Sequence, residues 1–152
     1  MTIPRNLGTF AEYAGAANTP VFNIPNAGEV ATVSATAATG TVNYDAITQS
    51  ILYYTTNASG NWTLNIRGNS STSLNTFMST GQAITIAFLV TNGGTAYYNS
   101  AVTIDGSSVT PKWQGGTAPS AGNASSVDVY TYTIVKTASA TYTVFASQTK
   151  FA

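Results

Sequence analysis

Histidine and cysteine are both absent from these 152 residues, and the two absences remove much of the usual active-site chemistry. Without imidazole or thiol there is no Ser-His-Asp or Cys-His nucleophile and no ordinary zinc site. There is no disulfide framework either. Charge is nearly as scarce: Lys, Arg, Asp and Glu make up 7% of the chain, against about a quarter in an average globular domain. Arg5, Arg67, Lys112, Lys136 and Lys150 stand singly and are balanced by five carboxylates. Phosphate recognition needs clustered cations that displace counterions, so nucleic acid is not an expected partner. No apolar run approaches the roughly 20 residues of a spanning helix, so membrane insertion is not expected. The opening MTIPRNLGTF lacks the apolar core of a secretory signal.

The carboxylates offer little chemistry. They are Glu12, Glu29, Asp45, Asp105 and Asp128, whereas a glycosidase sets two of them about 5–9.5 Å apart across a bond. Asp105 and Asp128 could meet only through folding, and Asp105 precedes Gly106, where Asp is an ordinary turn former. No DxDxDG-like run marks a calcium loop. Catalytic residues, metal ligands and cofactors are therefore assigned to no position. Four N-x-S/T sequons, at Asn57, Asn61, Asn69 and Asn123, read as coincidence in a chain so rich in Asn, Ser and Thr.

What is present is β-pattern. Hydrophobic residues reach 43%, with nine Tyr, enough for one domain with a single core. Residues 82–105 hold the clearest signal: Ile84, Ile86, Phe88 and Val90 fall at every second position, then Asn92-Gly93-Gly94 suits a hairpin turn, and 95–104 returns as a strand. Residues 50–56 (SILYYTT) and 61–67 (NWTLNIR) read as a second hairpin across Asn57–Gly60. Residues 73–78 suit a short helix capped by Ser73 or Thr72, with Leu74, Phe77 and Met78 turned inward and Gly81 beyond it. Residues 109–113 contain Pro111, which lacks a ladder donor and belongs at a sheet edge. Residues 127–135 and 141–146 form the last pair. The expectation is all-β: an antiparallel, jelly-roll-like sandwich over residues 49–152. Residues 1–48, broken by Pro4, Pro20 and Pro25, read as an extended arm with a weak strand near 31–36, and Glu12–Ala17 could add a helical turn. No internal repeat of fixed period is visible.

Two features point to association. Net charge is zero, which does little to keep molecules apart. The aromatics also include interface candidates, namely Tyr54, Tyr97, Tyr98 and Trp113, because Tyr and Trp combine an apolar body with a polar tip. In each Tyr-Tyr dipeptide one ring faces the core and the other faces out. A homo-oligomer is the expected state, and a sugar-stacking platform is the alternative use of the same rings.

Certain stretches carry a resemblance. The start Met1-Thr2-Ile3-Pro4-Arg5-Asn6-Leu7, together with SILYYTTNASGNWTLNIRG (50–68), SLNTFMSTGQ (73–82), TAYYNSAVTIDGSSVTPKWQGG (95–116) and ASQTKF (146–151), resembles tail-fibre-like structural proteins of marine tailed phages, particularly cyanophages. The resemblance covers roughly residues 50–152. It implies a non-enzymatic component of the virion surface, made in the host cytoplasm: a fibre or appendage component, or a head decoration protein. It also implies that the homo-oligomer is a trimer, as phage appendages commonly are, and that the N-terminal arm docks on other virion proteins of the capsid, neck or tail. The alternative is a lectin-like carbohydrate-binding module for host recognition.

Overall fold

Period-two alternation builds ten strands into two facing sheets. In the computed structural model, which describes residues 28–152, the six-stranded sheet holds, in spatial order, β1 (Ala31–Ala37), β3 (Ile51–Thr56), β5 (Ala83–Thr91), β9 (Val127–Ala138), β10 (Thr141–Phe151) and β8 (Lys112–Trp113). The four-stranded sheet holds β2 (Gly40–Asp45), β4 (Trp62–Arg67), β6 (Asn99–Ile104) and β7 (Ser107–Val109). Every second side chain points between the sheets. Trp62, Leu64 and Ile66 from β4 meet Ile86, Phe88 and Val90 from β5 and Tyr130, Tyr132 and Ile134 from β9, all buried. The expected all-β sandwich is what these residues form.

The pairing inside the sheets is mixed rather than purely antiparallel. β1, β3 and β5 run parallel, as do β2, β4 and β6. From β1 to β6 the chain crosses to the opposite sheet after every strand, so it coils instead of doubling back. This corrects both expected hairpins: 50–67 and 82–105 each join strands of different sheets. A Gly- and Asn-rich stretch reverses the chain equally well in either geometry. The crossing form lets two consecutive strands press their apolar faces together, as Trp62 of β4 does edge-on to Phe88, at 5.9 Å between ring centroids. Antiparallel pairing is kept by β5 with β9, β9 with β10 and β6 with β7. The β6–β7 turn puts both Asp105 (φ 51°) and Gly106 (φ 80°) in the left-handed region, as a tight two-residue hairpin requires.

The expected boundary at residue 48 also moves. The strand anticipated near 31–36 exists as β1, but β1 and β2 are full members of the two sheets, and Val42 and Tyr44 of β2 lie in the core. The sandwich therefore includes residues from Ala31 onward. Small Ala, Thr and Gly side chains hid that membership, because they carry little packing signal. Residues 1–27 of the expected arm, with its Glu12–Ala17 turn, lie outside the described residues.

One short helix, α1 (Leu74–Phe77), closes an end of the sandwich. Ser73 is its N-cap, accepting from the Thr76 amide at 3.0 Å, and the Asp105 carboxylate accepts from the Leu74 and Asn75 amides at 2.7 and 3.0 Å. At the other end Lys136 Nζ donates to the carbonyls of Asn75 and Met78 at 2.6 and 2.7 Å. Leu74 and Met78 turn inward as expected, whereas Phe77 turns out and is 43% exposed. Pro111 sits between β7 and β8, each the edge of its sheet, where its missing donor costs nothing.

Candidate interaction surface

Most described charges are committed to the frame. Asp45 and Arg67 are register partners on β2 and β4 and form an ion pair at 2.6 Å. Asp105 and Lys136 clamp α1. Asp128 is fully buried. Lys112 lies over the Phe145 ring, 5.8 Å from its centroid, a cation–π contact. Asp105 and Asp128 are not neighbours. Lys136, which caps the helix held by Asp105, is eight residues along β9 from Asp128, a span of roughly 26 Å at a strand's rise per residue. They cannot flank one bond.

Asp128 anchors a polar node at its end of the sandwich. Its Oδ2 accepts from Asn92 Nδ2 at 3.1 Å, the Asn123 amide at 2.9 Å and Gln148 Nε2 at 3.3 Å, and Gln148 also donates to the Tyr130 hydroxyl at 2.9 Å. Gly122 closes the loop over this node. A Cβ there would collide with the Tyr97 carbonyl oxygen and crowd Asp128 Oδ2. Burial pushes the Asp128 carboxyl above its ordinary 3.8, while the hydrogen bonds from Asn123, Gln148 and Asn92 pull the other way. The sign follows from linkage: a carboxyl raised in the fold adds stability below its unfolded pKa, and that stability is lost as pH rises through the folded value. The stability difference between the wild type and Asp128→Asn is expected to shift toward the variant over that interval. Urea denaturation across the acid range checks it; a pH-independent difference would contradict the shift.

The outer face of the six-stranded sheet carries almost no charge. Register places Val33, Tyr53, Leu89, Val129 and Thr149 in one row across five strands, and Ala31, Ile51, Ala87, Thr131 and Ser147 in the next. Thr85, Thr133, Phe145 and Lys112 make a third. Val33, Phe145 and Phe151 are 65%, 48% and 54% exposed. Lys112, at one margin, is the only charge in these rows.

The four sequence candidates do not form one site. Tyr54 faces inward and packs edge-on against Phe88 at 5.2 Å; the outward member of its dipeptide is Tyr53. Burial raises the Tyr54 hydroxyl above its ordinary pKa, with Asp45 adding to the effect. Tyr97 packs against the core and Tyr98 is half-buried, both in the crossover from β5 to β6. Trp113, half-buried, rests against Tyr132 at 6.1 Å and divides two grooves. One, of about 260 Å³, is lined by Ser100, Ser108, Thr110, Pro111 and Pro119. The other, of about 340 Å³, opens onto the outer face beside Thr133, Phe145 and Ser147. The outward residues Tyr53, Val33, Phe145 and Phe151 were not singled out from sequence. In TYTVFA the alternation predicts two faces, but Val144 and Phe145 are equally apolar, and only register shows which one is buried.

No protein-family model, no curated protein and no solved structure matches this chain.

Proposed function

We propose that this chain is a non-enzymatic structural protein on the surface of a tailed-phage particle, serving as a fibre or appendage component or a head decoration protein. It assembles as a homo-oligomer, with a trimer favoured, through the outer face of the six-stranded sheet. The observation that carries the reading is that face: broad, regular, almost uncharged, and studded with exposed Val33, Phe145 and Phe151. Interface cores are poor in charge and rich in aromatics, and an uncharged face can meet its own copy without like-charge repulsion. The virion setting comes from the sequence resemblance. Closed cyclic symmetry uses one such contact per subunit without open-ended growth.

Light scattering on the intact chain tests assembly, and a density map of the whole particle tests location. Val33→Asp is expected to release monomers at micromolar concentration, because it would bury an unpaired charge in the contact. The same change on a free surface should leave mass and stability nearly unchanged. A wild-type monomer under these conditions would remove the assembly reading.

A lectin-like role is the second reading, favoured by one observation. The groove of about 260 Å³ sets an indole beside two prolines and three hydroxyl side chains, a surface able to stack a sugar ring and hydrogen-bond its hydroxyls. Glycan-array binding lost in Trp113→Ala, with oligomeric mass intact, would favour it over a purely structural role.

A further inference from the structure

The loop 117–126 is tied down around the Asp128 node. The Gly122 amide donates to the Ala96 carbonyl at 3.2 Å and the Ser125 amide to the Gly93 carbonyl at 2.7 Å. Gln148 Nε2 donates to the Ala121 carbonyl at 3.2 Å, and the Asn123 amide enters the node itself. Ser125 stands in the left-handed region (φ 53°), which a non-glycine residue keeps only where its surroundings impose it. Nearer the start of the loop, Ala118 and Pro119 wall the groove that contains Trp113. We propose that Asp128 is a proton-controlled latch for this loop. Protonated, it pairs with Asn92 through two hydrogen bonds and holds the loop down; ionised, it loses one of them, and the loop and its groove wall loosen. The proposal depends on neither reading of function.

The donors on Asp128 are distributed unequally. Three N–H groups, from Asn92, Asn123 and Gln148, converge on Oδ2. Asp128 Oδ1 and Asn92 Oδ1 are both buried and meet no donor among the described residues. The orientation of Asn92 is fixed, because its Nδ2 also donates to the Tyr97 carbonyl at 3.1 Å, which an oxygen could not do. A single proton on Asp128 Oδ1 serves both orphaned oxygens. Oδ1–H then donates to Asn92 Oδ1 while Asn92 Nδ2 donates back to Oδ2, as an acid and an amide can do reciprocally. An ionised carboxyl leaves two buried acceptors without a donor, which is costly.

Burial raises the Asp128 carboxyl above its ordinary 3.8, and Lys150, its register partner on β10, favours the ionised form. Tyr130, on the same strand, is linked to Asp128 through Gln148 and is kept neutral by burial. The neighbouring elements present uncharged groups: Val90 opposite on β5, the Tyr97 carbonyl in the crossover, and Asn99 of β6 against the Tyr130 hydroxyl. The latch is therefore closed below the folded pKa of Asp128 and weakens as pH rises through it.

NMR on the intact chain across the acid range tests the latch. The Asp128 carboxyl carbon is expected to titrate with a midpoint above 3.8, and the Asn92 side-chain amide to shift with the same midpoint. Exchange of the loop amides, corrected for the intrinsic effect of pH, should quicken across that interval while the β4 amides hold steady. The expected factor is about tenfold for each pH unit separating the folded and unfolded midpoints. Asp128→Asn, whose amide N–H replaces the acid proton toward Asn92, should keep the loop closed at every pH. A midpoint at or below 3.8 would overturn the proposal, and is the result expected if a water bridges the two oxygens and leaves the carboxyl ionised. An Asn92 amide blind to the titration, a loop indifferent to pH, or a loop transition that persists in Asp128→Asn would each overturn it as well.

Discussion

Trp62→Ala is expected to cost about 3–5 kcal/mol of folding stability, the usual range for deleting a buried aromatic. Trp62 is fully buried and stands edge-on to two rings of the opposite sheet, Phe88 at 5.9 Å and Tyr130 at 5.5 Å. It is the point where the parallel coil presses on the β5–β9 pair, so the cavity would open between the sheets, where neither can relax without moving the other. Against a typical total of about 5–15 kcal/mol for a native protein, that is a large share. Trp62→Phe should cost clearly less. The indole Nε1 is buried without a hydrogen-bond partner among the described residues, so replacing it gives up volume but no polar contact. Urea midpoints for both variants check this; equal losses would show that the indole nitrogen is bonded in solution.

Lys136→Met is the second change with a large effect, expected to destabilise by about 2–4 kcal/mol. The side chain is nearly buried, and its ammonium group satisfies two carbonyls that the single-turn helix cannot satisfy itself. Methionine keeps the length and most of the packing, so the loss isolates the two orphaned oxygens. Besides a lower urea midpoint, limited proteolysis should become faster within residues 68–82, because the carbonyls of Asn75 and Met78 then lose their clamp. A stable variant with unchanged proteolysis would mean that water replaces the ammonium at no cost.

The strands were legible because alternation is a local property: Ile84 to Val90 and Trp62 to Ile66 declare a buried face without reference to the rest of the chain. Pairing was not legible, because Asn57–Gly60 and Asn92–Gly94 turn the chain equally well into a hairpin or a crossover. The coil was hidden for a further reason. Its successive strands in one sheet are offset by 20 residues from Ala31 to Ile51 and by 36 from Ile51 to Ala87, since the second circuit also carries α1. No fixed period survives that insertion. The cap at Ser73 and the edge position of Pro111 were readable from residue chemistry alone. The Asp128 node was not: it gathers Asn92, Asn123 and Gln148 from three segments, and no short motif links them.

The tying-up of charge in the frame has a kinetic consequence. The described residues carry four cations and four anions, and the ion pair, the helix clamp and the buried carboxylate absorb five of the eight. A molecule built this way projects little long-range field, so encounters are neither steered nor screened. Any association through such a surface should proceed at the orientation-limited rate of about 10⁵–10⁶ M⁻¹s⁻¹ for uncharged partners and stay nearly constant from low to high salt.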